Sequence, residues 1–295
     1  MASDIQKMKK NLLSEDHPLY EKIIAENPIW WQFINSDNDF YVEIRKGNVI
    51  DVYYRGGRVA QISCKKGVFV ATAHPKYTAD NVSKDDPRYY KNSKDAIYQE
   101  CLELISSEDG LAKMKCRIKE HYATDDEDNV ENTSEKYIQG GLIVKHRHQY
   151  LDSEFAYKFL SIPRSRKTIR FDLVQIKDGK IVFVELKRFW DNRMRTSKGE
   201  PEILEQMTNY INFIKENEDE LCDYYKVLYK IKAKLGLPVP SIDDINRLSI
   251  ELRPELLVAM CHEESKHGKD AEQNRKNYID KKLKILNIAP QYFDL

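Results

Sequence analysis

A β-hairpin is the feature of this sequence that most restricts its fold. Two strongly apolar segments, TIRFDLVQI and IVFVELKRF, flank the tetrapeptide Lys177-Asp178-Gly179-Lys180. Alternating apolar residues on both sides of Asp-Gly are a strong short-range indication of two antiparallel strands joined by a two-residue turn. Counting outward from the Lys177–Lys180 pair then places Asp172 opposite Glu185.

Two carboxylates that face each other in a sheet need an explanation. Side chains alternate along a strand, so Asp172, Glu185 and Lys187 are expected on one face. Their repulsion costs about 0.2–1 kcal/mol in solvent, and more among apolar neighbours. A divalent cation between them would offset it, because Mg²⁺ and Mn²⁺ prefer carboxylate, carbonyl and water oxygens. The alternative is a solvated hairpin end where Arg170 and Lys187 neutralise the two acids.

The spacing of these residues resembles that of the PD-(D/E)xK nuclease superfamily, which has the restriction-endonuclease-like fold. Asp172 is followed by twelve residues and then by Glu185-Leu186-Lys187 at the end of an apolar strand. Phe171 stands where the name of the motif has proline. The resemblance covers about residues 130–262.

The next helix strengthens this resemblance. It carries Gln206 and Tyr210 in a Gln-x-x-x-Tyr pattern, which is similar to the motif of the RecB-like and Cas4-like branch. At positions i and i+4 the two side chains lie on one helix face, within reach of a metal cluster or a DNA strand. The alternative is that Tyr210 belongs to the core and Gln206 to the surface.

The resemblance implies roles for individual residues. Asp172, Glu185 and the main-chain carbonyl of Leu186 would hold the metal, and Lys187 would be the catalytic lysine. An acidic residue from the first core helix often completes such a site, for which we prefer Glu135 to Glu131. The expected catalytic residues are Asp172, Glu185, Lys187, Gln206 and Tyr210, with Mg²⁺ or Mn²⁺ as the cofactor.

The remaining chain predicts an α+β fold in two domains. The segment from residue 40 to 73 is rich in β-formers and is interrupted by glycines about every ten residues, which is typical of a β-meander. Its strands are expected at 40–45, 49–54, 58–64 and 68–73, with Gly56 and Gly57 in the tight turn between the second and third. Helices precede and follow this meander. The acidic segment TDDEDNVENTSE predicts a linker, which divides the chain into domains at 1–125 and 126–295.

The resemblance adds an expected order of elements to the second domain. It implies an αβββαβ core, a mixed sheet flanked by helices. The elements in that order are a helix at 135–148, a strand at 154–162, the two strands of the hairpin, a helix at 201–216 and a strand at 255–261.

Charge is distributed unevenly along the chain. The chain has 48 Lys+Arg and 48 Asp+Glu. Residues 145–198 nevertheless contain 14 basic and 6 acidic residues, an excess of eight positive charges around the predicted site. Such a cluster would neutralise phosphates along a nucleic acid backbone, although any single arginine can be an ordinary solvated charge. The candidate nucleic-acid-binding residues are Arg164, Arg166, Lys167, Arg170, Arg188, Arg193 and Arg195.

These observations predict a metal-dependent nuclease that hydrolyses phosphodiester bonds of DNA. The alternative is a non-catalytic module on the same fold that binds nucleic acid or protein. The sequence has no long apolar segment, signal-peptide core or Cys-x-x-Cys pair, so we expect a cytoplasmic protein without a membrane partner, a disulfide framework or a structural zinc site. The N-terminal domain is the candidate surface for forming a homodimer or binding a protein partner.

Overall fold

The protein has an α+β fold, as predicted. The computed structural model describes residue 8 and residues 12–78, 99–122, 134–158, 168–260 and 268–295. Residues 11–147 and 227–239 form one compact unit, here called the N-terminal unit. Residues 148–226 and 240–295, together with 1–10, form a second one, called the C-terminal unit.

This division differs from the boundary expected at residue 125. That position lies between residues 123 and 133, outside the described part of the chain. The helix at Glu135–Lys145 belongs to the N-terminal unit. It packs there because Gly140 lies directly against the main chain of Gly56, where an added Cβ would come within 2.6 Å of the Gly56 nitrogen.

The N-terminal unit is built on an antiparallel sheet in which neighbours in sequence are neighbours in space. Its strands are β1 (Phe40–Arg45), β2 (Val49–Tyr54), β3 (Gly57–Lys65), β4 (Val68–Ala73) and β5 (Gln99–Glu100). The four predicted meander strands are therefore confirmed. The helices are α1 (Pro18–Glu26), α2 (Ile29–Ser36), α3 (Pro75–Thr78), α4 (Leu102–Ile105), α5 (Glu108–Tyr122) and α6 (Glu135–Lys145).

The turn between β2 and β3 lies one residue earlier than predicted. Tyr54 pairs with Gly57, so Arg55 and Gly56 are the turn residues, with φ of +47° and +82°. Gly57 begins the strand instead of closing the turn. A side chain at Gly56 would meet the carbonyl oxygen of Lys136 at 2.4 Å, so the glycine is required both by its φ and by the approach of α6.

The C-terminal unit is built on a mixed sheet. Its strands are β6 (Tyr150–Lys158), β7 (Thr168–Lys177), β8 (Lys180–Arg188), β9 (Ser249–Ile250), β10 (Glu255–Met260) and β11 (Gln291–Asp294). They lie in the order β11-β10-β8-β7-β6, with the short β9 also paired to β8. Strands β6, β7 and β8 are antiparallel neighbours, while β8, β10 and β11 run parallel. The two strands of the hairpin therefore pair as predicted. The strand predicted at 255–261 is found as β10.

Helices complete this unit. They are α7 (Glu202–Glu216), the first half of α8 (Glu218–Lys234) and α9 (Gly268–Leu283). Helix α7 begins after Pro201, and one face of it is buried through Ile203, Met207, Tyr210, Phe213 and Ile214. No helix in the described residues is long and apolar enough to cross a membrane.

The hairpin has the predicted register up to the carboxylates. Lys177 pairs with Lys180, and the ladder continues to Leu173 opposite Val184. Asp178 and Gly179 adopt φ of +51° and +72°, as a two-residue hairpin turn requires. Beyond the Leu173–Val184 pair the alternation of faces changes by one residue. Strict alternation would put Phe171 and Phe183 on opposite faces of the sheet, but their rings pack together with centroids 4.3 Å apart. Asp172 therefore lies at an irregular point of β7.

Candidate functional site

Asp172, Glu185 and Lys187 come together where the β7–β8 ladder ends. The carboxyl groups of Asp172 and Glu185 both approach the Lys187 ammonium, so the two acids converge. The Lys187 ammonium donates to Glu185 Oε1 and, at 2.9 Å, to the Leu186 carbonyl oxygen. It lies 3.8 Å from Asp172 Oδ2. Three oxygens of the predicted ligand set thus surround one cation.

The main chain fixes Asp172 in this position. Its Oδ2 accepts a hydrogen bond of 2.9 Å from the Leu186 amide. The backbone of β8 therefore replaces a regular ladder bond with a bond to the side chain of β7. Glu185 and Lys187 lie on the central strand β8 and are almost fully buried, with 2% and 1% of their surface exposed. The alternative of a solvated surface ion network is excluded by this burial.

Gln206 and Tyr210 contact Glu185 directly. Gln206 Nε2 lies 2.6 Å from Glu185 Oε1 and 2.8 Å from the Tyr210 hydroxyl. The Tyr210 hydroxyl lies 2.9 Å from Glu185 Oε2 and also contacts the carbonyl oxygen of Arg170. The Gln-x-x-x-Tyr pair therefore belongs to the same cluster as the carboxylates, and Tyr210 is at the same time a buried residue of α7.

Burial sets the protonation of the cluster. Desolvation, followed by the neighbouring Asp172, raises the pKa of Glu185 to about 8, although Lys187 and Tyr210 act in the opposite direction. Desolvation also raises the pKa of Asp172, against the opposing effects of Lys187 and the Leu186 amide. Tyr210 has a single hydroxyl hydrogen, so it can donate to either the Arg170 carbonyl or Glu185. A protonated Glu185 would donate to Tyr210 and leave that hydrogen for the carbonyl.

Glu154 is a further acidic residue at the cluster that sequence reasoning did not identify. Strand β6 pairs Ser153 with Leu173 and Phe155 with Phe171, which puts Glu154 level with Asp172. Its charge contributes to the raised pKa of Asp172. Its φ of +50° is unusual for a residue with a side chain. The β6–β7 register could not be predicted because no recognisable turn motif joins the two strands.

Glu135 is the acidic residue preferred from the first core helix. It is the first residue of α6 in the N-terminal unit, after the N-cap Ser134, whose hydroxyl accepts from the Tyr137 amide. Glu131 lies outside the described residues. Within the part of the chain that the structure describes, no group of three or more His, Cys, Asp or Glu side chains is placed to hold a metal ion. Glu135 as a further metal ligand therefore stays a prediction.

The predicted nucleic-acid-binding residues have different surroundings. Arg164, Arg166 and Lys167 lie outside the described residues. Arg170, Arg193 and Arg195 are exposed, and Arg188 is half-buried. The guanidinium of Arg193 pairs with Asp191, with Nε 2.9 Å from Oδ1. Arg195 lies over the ring of Tyr278, 5.7 Å from its centroid.

The chain matches no protein-family model, no curated protein and no solved structure.

Proposed function

We propose that the protein is a metal-dependent nuclease that hydrolyses phosphodiester bonds, with DNA as its substrate. One observation carries the proposal. Two carboxylates and a main-chain carbonyl, from Asp172, Glu185 and Leu186, surround the buried Lys187 ammonium. This is the set of groups that the PD-(D/E)xK resemblance implies, brought together from two strands.

The oxygen atoms of the cluster fit a divalent cation. Carboxylate and carbonyl oxygens are the ligands that Mg²⁺ and Mn²⁺ prefer, and here they already surround a positive charge. Asp172, Glu185 and the Leu186 carbonyl would hold the metal. Such a metal lowers the pKa of a bound water and neutralises negative charge on the phosphoryl group.

The remaining residues would orient the ligands and the substrate. Gln206 and Tyr210 hold both oxygens of Glu185 and so fix the direction of its carboxylate. The Lys187 ammonium is next to the carboxylates, where it would stabilise charge that develops on a phosphate oxygen. Arg170 and Arg195 are exposed in the same unit and would bind neighbouring phosphates without reading base sequence.

The ion pair between Lys187 and Glu185 also supports a second function. Lys187 satisfies Glu185 and the Leu186 carbonyl without any metal, so the cluster can also be read as a closed structural network. The protein would then be a module that binds nucleic acid or another protein but has no catalytic activity.

Cleavage assays separate the two functions. We expect supercoiled, linear duplex or single-stranded DNA to be cut with Mg²⁺ or Mn²⁺ and to stay intact with EDTA. Glu185→Ala and Lys187→Ala should each reduce cleavage by about 100-fold or more. Lys180→Ala is the matched control, since this residue lies at the other end of β8 in a surface ion pair with Glu251 at 3.1 Å. Cleavage that survives both site substitutions would contradict the mechanism, and binding without cleavage under all metal conditions would favour the module.

A further inference from the structure

The loop at residues 189–200 joins the two elements that carry the site. It leaves β8 just after Lys187 and Arg188 and leads into α7, which carries Gln206 and Tyr210. It contains Arg193, Arg195 and Lys198, all of which are exposed. We call residues 189–200 the basic loop.

One face of α9 holds the basic loop at its beginning, middle and end. Arg275, Tyr278 and Lys282 are spaced i, i+3 and i+7, so they follow one another along the same side of the helix. Each of these three residues contacts a different part of the loop.

Arg275 holds the beginning of the loop. Its side chain is buried, with Nε donating to the Phe189 carbonyl at 2.8 Å and Nη2 to the Asp191 carbonyl at 2.7 Å. The guanidinium also lies 5.2 Å from the centroid of the Trp190 ring. Phe189 is fully buried and therefore anchors the loop; it is not available to stack on a base.

The other two residues hold the middle and the end. The Tyr278 hydroxyl donates to the Thr196 carbonyl at 3.4 Å, and its ring lies beneath Arg195. Lys282 pairs with both carboxylate oxygens of Glu200 at 2.9 Å. The loop thus has a fixed conformation, although it contains no strand and only one short 3-10 turn at Asn192–Met194.

Within the described residues, the charges of the loop leave two cations without a counter-ion. Asp191 is engaged by Arg193, and Glu200 by Lys282. Among the described residues, Arg195 and Lys198 have no ion-pair partner. Burial lowers the pKa of the Arg275 guanidinium, and the nearby positive charge of Arg195 lowers it further. A bound anion would relieve this repulsion between like charges.

We propose that the basic loop, held by α9, is a preformed surface that binds the phosphodiester backbone of a nucleic acid through Arg195 and Lys198. This surface rests on the proposed function, because it would bring a backbone to the residues at the end of β8. A loop that is already ordered loses little conformational entropy on binding. Its cations act by releasing the counter-ions of the phosphates, so the contribution of each one can be measured from the salt dependence of binding.

The test measures binding in EDTA, where cleavage is absent. Fluorescent single-stranded and duplex oligonucleotides are titrated with the full chain at several KCl concentrations. Arg195→Ala/Lys198→Ala should weaken binding about tenfold or more at low salt. The slope of log K against log salt should become less steep by about 1.8 for duplex or about 1.4 for single strands. The matched control is Lys177→Ala/Lys180→Ala, which removes two exposed cations at the turn of the same hairpin, both already paired with acids.

A charge-neutral pair of variants tests the role of α9. Tyr278→Leu removes the ring and the hydroxyl and should weaken binding with little change in salt slope, whereas Tyr278→Phe keeps the ring and should bind nearly as the wild type does. Wild-type binding and slope in Arg195→Ala/Lys198→Ala would overturn the proposal, as would equal affinity for polyglutamate of matched charge.

The two proposals fail in different ways. If the wild type cleaves DNA but the loop variant binds normally, only the surface is wrong. If the loop variant loses binding while the wild type cleaves nothing, only the nuclease assignment is wrong.

Discussion

At the scale of single residues, Lys187 occupies the space among the oxygens that would hold a metal. Its ammonium contacts Glu185 and the Leu186 carbonyl and lies 3.8 Å from Asp172. A divalent cation would have to displace this ammonium before it could contact the same atoms. The lysine would therefore compete with the proposed metal when no substrate is present.

This competition gives a prediction for metal affinity. Lys187→Met keeps most of the side-chain volume but removes the charge, so Mn²⁺ no longer has to displace a cation. We expect the variant to bind Mn²⁺ about tenfold more tightly in isothermal titration calorimetry, which is about 1.4 kcal/mol, even though cleavage is lost. Lys180→Met, at the opposite end of β8, should leave Mn²⁺ affinity unchanged. Weaker Mn²⁺ binding by Lys187→Met would show that the lysine supports the metal site and does not compete for it.

Much of the cluster is predictable from the sequence, because short-range patterns place most of its residues. The Asp-Gly turn fixes the hairpin register as far as Leu173 and Val184, which brings Asp172 near Glu185, and the Leu186 amide then holds the Asp172 carboxylate. Helical spacing then places Gln206 and Tyr210 on one face. Glu154 is not predictable in this way, because its position depends on the pairing of β6 with β7 and on a backbone conformation with positive φ.

At the scale of elements, the turns of the N-terminal sheet show which glycines are required by contact. Gly56 and Gly67 both lie in two-residue hairpin turns, with φ of +82° and +77°. An added Cβ at Gly56 would meet the Lys136 carbonyl, whereas at Gly67 it would meet nothing within 4 Å. The two positions therefore share the cost of positive φ and differ only in packing.

This difference predicts unequal effects on stability. Gly67→Ala should lower the free energy of unfolding by about 1–2 kcal/mol, since alanine is strained at positive φ. Gly56→Ala should cost several kcal/mol, because the main chain of α6 must also move away. Urea denaturation of both variants measures the comparison. Equal losses would mean that α6 adjusts to the added methyl group without cost.

Elements defined by a local pattern are predicted well, whereas a register set by distant pairing, such as that of β6 with β7, is not. The meander strands and α7 follow from alternation and helical periodicity over a few residues. The turn lies at Arg55 and Gly56, not at the expected Gly56 and Gly57. The reason is that the main chain of α6 comes so close to position 56 that only glycine fits there. Nothing within the turn sequence carries that information.

At the scale of the whole molecule, a buried ion pair links distant parts of the sequence within the N-terminal unit. Lys232, from the segment 227–239, donates to Glu43 of β1 at 2.7 Å, and both side chains are at least 95% buried. The boundary expected at residue 125 would have assigned these residues to different domains. A discontinuous unit of this kind has no signature in composition, which is why the sequence predicts a simple division.

Removing one partner of this pair should destabilise the protein strongly. Lys232→Met leaves the Glu43 carboxylate buried without its ammonium partner, and we expect a loss of about 3–5 kcal/mol in the free energy of unfolding. Glu43→Met/Lys232→Met should recover much of this loss, since an apolar pair carries no desolvation penalty. Lys234→Ala, at an exposed pair with Glu21, is the control and should have little effect. A double variant as unstable as the single one would show that Glu43 and Lys232 are held by other contacts.

The discontinuous N-terminal unit also sets an order for folding during synthesis. Residues 11–147 leave the ribosome first, but the unit is complete only when residues 227–239 have followed. At about 5–20 residues per second, the intervening segment of about 80 residues takes roughly 4–16 s to make. During that interval the hairpin that carries Asp172 and Glu185 is already translated. The nascent chain therefore has both carboxylates of the site before its first sheet can bury Glu43 against Lys232.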